Sequence, residues 1–399
     1  MVFVLRLVLP EFVCLFLLAF TVSCMAAPAS AGQEELEELK ELRKIVSAQQ
    51  KQIEALADAW EAGVAGESDN RTRLGGYGEM HYGDLDSGRE MDFHRFVLFV
   101  SHKFSETVSF HSELELEHSV AGEGQPGEIE LEQAYVQWDF TEGHHLKTGL
   151  FLVPAGLINE THEPETFYGV ERNPVEKNII PSTWWEGGVA LNGEITAGWS
   201  YDLAVHSGLH LDTDNVSASK RTSIRSGRQK VGEANADSLA WTGRIRYTGV
   251  PGLLWGLSAQ YQEDLSQDEA GGIALDRLDA RLLETHLVWQ SGSFSLSALY
   301  ANWKLDKSAD LLNPGAKKQT GWYVEPSWRI NAQWGVFARY SSYDLTAGDS
   351  LTSNQQQQTD VGVNYWLHER VVFKLDFQRQ SNDQGSEVDG FNLGVGYSF

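Results

Sequence analysis

From Arg71 onward, apolar and polar residues alternate one by one through most of this chain. At its end Phe391, Leu393, Val395, Tyr397 and Phe399 take one face, and Asn392, Gly394, Gly396 and Ser398 the other. Just before, Val371, Phe373, Leu375 and Phe377 oppose Val372, Lys374, Asp376 and Gln378. Val108, Phe110, Leu114 and Leu116 oppose His111, Glu113, Glu115 and Glu117. Trp199, Tyr201, Leu203 and Val205 repeat the pattern, as do Trp241, Ile245 and Tyr247 against Arg244 and Arg246. Successive side chains of a strand point to opposite faces, so a period of two predicts a half-buried β-strand. The pattern predicts sixteen strands, near 73–83, 92–103, 106–117, 128–140, 144–152, 184–193, 197–210, 238–248, 252–264, 277–290, 292–304, 319–330, 334–345, 358–368, 370–381 and 388–399.

A soluble sandwich also alternates. Two features point instead to a membrane barrel. Aromatics gather toward strand ends: Trp138/Phe140, Trp184/Trp185, Trp255/Tyr261, Phe294/Tyr300/Trp303, Trp322/Trp328 and Trp334/Tyr340. Two interfacial belts would read this way. The connections also alternate in length. Short turns (KFSE, FTEGH, TGVPG, QSGS, NAQ, HER) alternate with longer loops near 84–91, 118–127, 153–183, 211–237, 265–276, 305–318, 346–357 and 382–387. Short turns at one end and long loops at the other are the outer-membrane pattern. The expected fold is all-β: a 16-stranded antiparallel transmembrane β-barrel over 71–399, preceded by a short α-helical coiled coil. Sixteen strands enclose an aqueous channel rather than a packed interior. An even count puts both barrel ends on the short-turn, periplasmic side.

One connection stands apart. Residues 153–183 lack any period and hold four of the ten prolines (Pro154, Pro164, Pro174, Pro181). Neither a long helix nor a central strand forms easily there. Leu157, Ile158, Phe167, Tyr168, Val170, Ile179 and Ile180 make it too apolar for disorder. It is the third long loop, and the expectation is that it folds into the lumen and narrows it.

The first 70 residues differ in character. Arg6 precedes an apolar block at Phe12–Val22, and Ala29-Ser30-Ala31 fits a signal-peptidase site, so 1–31 reads as a signal peptide. Cleavage removes both cysteines, Cys14 and Cys24, leaving no disulfide. Cys24 as a lipoprotein acceptor is the rival reading. Within 32–61, Leu39, Val46, Ile53 and Trp60 recur every seven residues, and Leu42, Gln49 and Leu56 follow three residues behind the first three. That is an a/d seam, read as a periplasmic, self-associating coiled-coil helix. Residues 62–70 read as a polar linker.

Charge narrows the function classes. The net charge is −25, from 56 acidic and 31 basic residues, which argues against nucleic-acid binding. An acidic lumen that favours cations is the sharper reading.

The run LKTGLFLVPAGLINE, then ETFYGVERNPVE, then WWEGGVALNG resembles the phosphate-selective porin O and P family. In that family an aromatic-x-x-Glu-Arg element follows the start of an inward-folded third loop. Phe167/Tyr168, Glu171, Arg172 and Pro174 hold those places here. The resemblance implies a trimeric outer-membrane channel, with phosphate selectivity carried by basic residues along the pore. The acidic third loop departs from that pattern, so the fold and channel role are expected without the phosphate. On the loop side of the eyelet the expected residues are Glu160, Glu163, Glu165, Glu171, Arg172, Glu176 and Lys177. On the wall side they are Arg95, Lys147, Arg244, Arg246, Arg281, Arg339 and Lys374. Opposed signs across an eyelet orient dipolar solutes.

Glu113, Glu115 and Glu117 share one strand face, and Glu130 and Glu132 share a face of the next. They predict an acidic lumen patch, read as a solvated wall, with weak divalent-cation binding as the alternative. Asp212, Asp214 and Asn215 open like a calcium loop but lack its glycine and glutamate. His81, His94, His102, His111, His118 and His144–His145 show no convergent zinc spacing, so no metal or cofactor is assigned. No G-x-S-x-G or Ser/His/Asp spacing supports an enzyme. The expected function is passive diffusion of small hydrophilic solutes or ions. The expected partners are outer-membrane lipid, lipopolysaccharide and two further copies of the chain. An anion- or phosphate-selective channel is the alternative, and a structural tether or barrel enzyme a second one.

Overall fold

The alternation is used inside out. The apolar faces are the exposed ones: Leu74 is 73% accessible, Trp241 61% and Phe377 61%. The charged faces are covered, with Glu79, Arg95, Arg244, Asp360 and Lys374 all buried. A soluble core would invert this, so the apolar surface needs a lipid solvent. The computed structural model describes residues 71–267 and 277–399. The expected signal peptide, the coiled-coil seam from Leu39 to Trp60 and the linker lie outside the described residues.

The strands run β1 (Thr72–Leu85), β2 (Gly88–Lys103), β3 (Val108–Glu117) and β4 (Ile129–Thr141). Then come β5 (His144–Leu152), β6 (Trp185–Thr196), β7 (Trp199–His206) and β8 (Ala240–Tyr247). The second half holds β9 (Leu253–Gln262), β10 (Ala280–Ser291), β11 (Phe294–Leu305) and β12 (Lys318–Arg329). It ends with β13 (Trp334–Asp344), β14 (Gln356–His368), β15 (Val371–Asn382) and β16 (Glu387–Ser398). Each strand pairs antiparallel with its neighbours, and β16 pairs with β1 to close the barrel. At the seam Gly76 N–H donates to Phe399 O at 3.0 Å and Phe399 N–H to Gly76 O at 2.9 Å. Closure leaves no unpaired edge in lipid.

All sixteen expected strands are present. Two expected long loops shrink to turns, because β1 and β2 continue to Asp86–Ser87 and β15 and β16 to 383–386. An aromatic belt circles the short-turn end, where Trp199 packs on Tyr247 at 4.7 Å and Trp334 on Tyr365 at 4.6 Å. Trp184, Trp185 and Trp303 are a correction: expected in the belts, they are fully buried inside. Trp184 and Trp303 lie 6.3 Å apart in an apolar cluster with Val153, Ile179, Leu209, Leu265 and Leu312. That cluster joins several long loops to the inner faces of β10–β12.

A lumenal segment held by the far wall

Residues 153–184 connect β5 to β6, and a buried polar scaffold shapes them. Val153 N–H donates to Trp184 O at 2.8 Å and closes the base. Asn159 spans it, donating to Val153 O at 2.8 Å and Trp184 O at 3.0 Å and accepting from Trp184 N–H at 2.6 Å. The Glu176 carboxylate accepts from Leu157 N–H (2.6 Å), Ile158 N–H (2.8 Å), Asn173 Nδ2 (3.1 Å) and Tyr323 Oη (2.8 Å). Four donors satisfy a buried carboxyl group that would be costly to leave unpaired. Gly156, at φ 80°, makes the fit possible, since a Cβ there would lie 2.5 Å from Glu176 Oε1.

The segment then crosses to the opposite inner wall. Lys374 Nζ donates to Gly169 O at 2.8 Å, and Val170 N–H donates to Asp376 Oδ2 at 2.6 Å. Asn364 Nδ2 reaches Phe167 O at 3.3 Å, and Trp303 Nε1 reaches Ile179 O at 2.9 Å. Glycines make the wall flat where the segment lies. Added Cβ atoms at Gly394 and Gly321 would sit 3.0 Å from Val170 and 2.9 Å from Ile179. At Gly396 and Gly335 they would meet Pro164 and Tyr168.

On the near side, His162 Nε2 lies 3.3 Å from Glu113 and 3.6 Å from Glu132. Burial alone would lower the His162 pKa, but hydrogen bonds to the two carboxylates raise it to about 10. Burial would raise the Glu160 carboxyl, yet the Arg244 guanidinium pairs with it and holds it below the usual range.

The expected site residues therefore fall into groups. Glu160 of the loop pairs with Arg244 of the wall. Arg246 reaches Asp202 at 3.7 Å and adds to the positive field on Glu160. Arg95 pairs with Glu79 at 2.8 Å and Glu115 at 3.2 Å, both on the wall. Arg339 pairs with Asp360 at 3.0 Å and Glu325 at 3.2 Å and touches the loop through Glu171 O at 3.4 Å. Lys147 lies over Tyr135 at 5.0 Å. Glu163 and Glu165 are half-buried, and burial pushes the Glu163 carboxyl up. Glu171 bonds His81 at 2.8 Å, Arg172 is half-buried, and Lys177 is exposed. Two residues are corrected. Glu176 is wholly buried and braces the segment. Arg281 shares the outward face of β10 with Leu283, stacking on Tyr261 at 5.5 Å, because its strand parity turns it away from the lumen.

The acidic patch of Glu113, Glu115, Glu117, Glu130 and Glu132 is on the inner wall but is not an open solvated face. His162, Arg95 and Lys230 sit on it, and Thr183 Oγ1 donates to Glu132 at 2.5 Å. Arg225, Arg228 and Lys230, from the connection between β7 and β8, are lumenal contributors the pattern did not reveal. Arg225 donates to Lys177 O at 3.2 Å, and Arg228 to Thr183 O. Burial lowers the Arg225 pKa, and Arg228 and Arg172 lower it further, to about 10. No sequence signal marks them, since the connection is aperiodic.

A closed barrel with a lipid-facing exterior and a charged interior defines a pore-forming outer-membrane protein, a porin. The profile of the phosphate-selective porin O and P family matches residues 74–394, and the chain belongs to that family. A relative in Aquifex aeolicus (strain VF5), described only as an uncharacterized protein, is 30% identical over 356 residues, covering 82% of this chain and 79% of that one. Among solved structures, the anion-selective porin from Comamonas acidovorans superposes with a TM-score of 0.57 at 13% identity, covering 82% of this chain and 99% of that chain. The outer-membrane channel DcaP of Acinetobacter baumannii gives 0.57 at 12% identity, over 82% and 97%. Salmonella typhi OmpF in complex with daunomycin gives 0.58 at 12% identity, over 82% and 97%.

Proposed function

We propose that the channel passes small hydrophilic solutes or ions by passive diffusion and that segment 153–183 sets its narrowest point. The observation that carries this reading is the backbone of Gly169–Val170, fastened by Lys374 and Asp376 on the wall opposite its own strands. A segment anchored at both walls divides the lumen. Passage then needs only sterics and field, with no covalent chemistry. The assembly proposed is a homotrimer in outer-membrane lipid and lipopolysaccharide. After removal of the signal peptide 1–31, the coiled-coil helix 32–61 hangs in the periplasm.

Selectivity follows from which charges remain uncompensated. Arg95, Arg244 and Arg339 are each bound to two carboxylates, so they add little positive field. A weak preference for cations is therefore expected. The cluster of Arg172, Arg225 and Arg228 favours a second reading, an anion or phosphate path, because the latter two donate to backbone carbonyls. Reversal potential in a planar bilayer under a potassium chloride gradient distinguishes them. Cation preference supports the first reading. Anion preference, strengthened when phosphate replaces chloride, establishes the second. Absence of any conductance would favour a tether or a barrel enzyme.

A further inference from the structure

Three side chains with no assigned role meet on the inner wall, on the long-loop side of Arg95. Asp92 and His94 lie on β2, and His118 is the first residue beyond β3. The register of β1 against β2 shifts between Glu79 and His81, and this bulge turns both His94 and Arg95 inward. Asp92 Oδ2 lies 3.1 Å from His94 Nδ1 and 2.8 Å from His118 Nδ1. One atom from each residue lies within 4.8 Å of the others. We propose that Asp92, His94 and His118 form a binding site for one borderline-soft divalent cation, of the Zn²⁺, Ni²⁺ or Cu²⁺ class.

The donor set selects that class. Two imidazoles and one carboxylate suit these ions, whereas Ca²⁺ and Mg²⁺ require six or more oxygens or several waters. A tetrahedral ion with bonds of ~2.1 Å separates its ligand atoms by roughly 3.4 Å. The two hydrogen-bond spacings would open by about 0.3 and 0.6 Å, and the two imidazole nitrogens already lie within 4.8 Å of each other. The site is also built before any ion arrives. His118 N–H donates to His94 O at 3.2 Å, tying two ligand backbones together. His118 and Ser119 hold left-handed φ values of 51° and 54°, which bend the chain back over β2. The His81 ring stacks on His94 at 4.7 Å and is itself fixed by Glu79 at 3.2 Å and Glu171 at 2.8 Å. Ligand side chains between 19% and 32% accessible leave a path from the lumen and room for a water as fourth ligand.

Two other clusters lack these properties. Glu113, Glu132 and His162 are sealed at 4% accessibility or less. Glu115, Glu117 and Glu130 are all carboxylates, with Arg95 and Lys230 already on them. Asp92 Oδ2, by contrast, takes its hydrogen bonds from two imidazoles, the groups an ion would recruit.

The test is a Zn²⁺ titration of the full chain in detergent micelles, with Co²⁺ absorption as a second readout. One ion per protomer is expected, and Co²⁺ should develop visible ligand-field bands. His118→Asn and Asp92→Asn, measured separately, should each weaken binding by more than the ~10–100-fold typical of losing an outer-shell partner. His145→Asn removes a simple Asp139–His145 pair at the other end of the barrel and should change nothing. Since His118 lies outside the strand ladder, its variant retains the heat-modifiable barrel. No saturable binding, or equal affinity in wild type and both ligand variants, would overturn the proposal.

Discussion

His162 ties the lumenal segment to its near wall. It is buried between Glu113 and Glu132, so its charge is retained only because both carboxylates face it. Breaking such a pair from one side costs about 3–5 kcal/mol, since it leaves uncompensated buried charge. The sign of the pH dependence follows from the shift. A free histidine titrates near ~6.5, and burial here is outweighed by the carboxylates, which raise the folded value to about 10. The stabilisation is therefore complete below pH ~6.5 and is lost as pH rises through the folded value. His162→Gln should lower the thermal midpoint of the barrel most at or below pH ~6.5, and the gap to wild type should close toward pH 10. A gap that is constant across that range would mean that His162 is neutral. The sequence could not show this contact, because Glu113 lies 49 positions away along the chain.

Among elements, the strands were legible and the route of the long connection was not. Period-two alternation survives in sequence because every strand has one face in lipid and one toward the lumen. Gly394 and Gly396 could be assigned to the lumenal face of β16 from parity alone. Their purpose could not, since it depends on Val170 and Pro164 arriving from the third loop. Trp184 and Trp303 misled for the same reason: the same residue type serves a membrane belt or a buried cluster, and only a partner distant in sequence decides. The glycine floor makes a prediction. Gly394→Leu should push Val170 off the wall and give noisier, altered single-channel currents. Val395→Leu, on the lipid face of the same strand, should leave the traces as in wild type. Wild-type currents from Gly394→Leu would show that the segment tolerates displacement without affecting the passage.

At the scale of the whole molecule, the barrel supplies the hole, and the third connection is proposed to set its size. Sixteen strands alone enclose a wide aqueous lumen. Here a 153–184 segment, braced by Glu176 and pinned by Lys374, Asp376 and His162, lies across it. The net charge of −25 says less about the passage than it first implies, because many carboxylates are spent on buried arginines and on His162. Single-channel conductance of wild type against a variant shortened within Glu163–Asn178 tests the role of this segment most directly. The shortened channel should show a clearly larger conductance, with the barrel still heat-modifiable. Equal conductance in the two would contradict that role, since the segment would then lie outside the path of the ions.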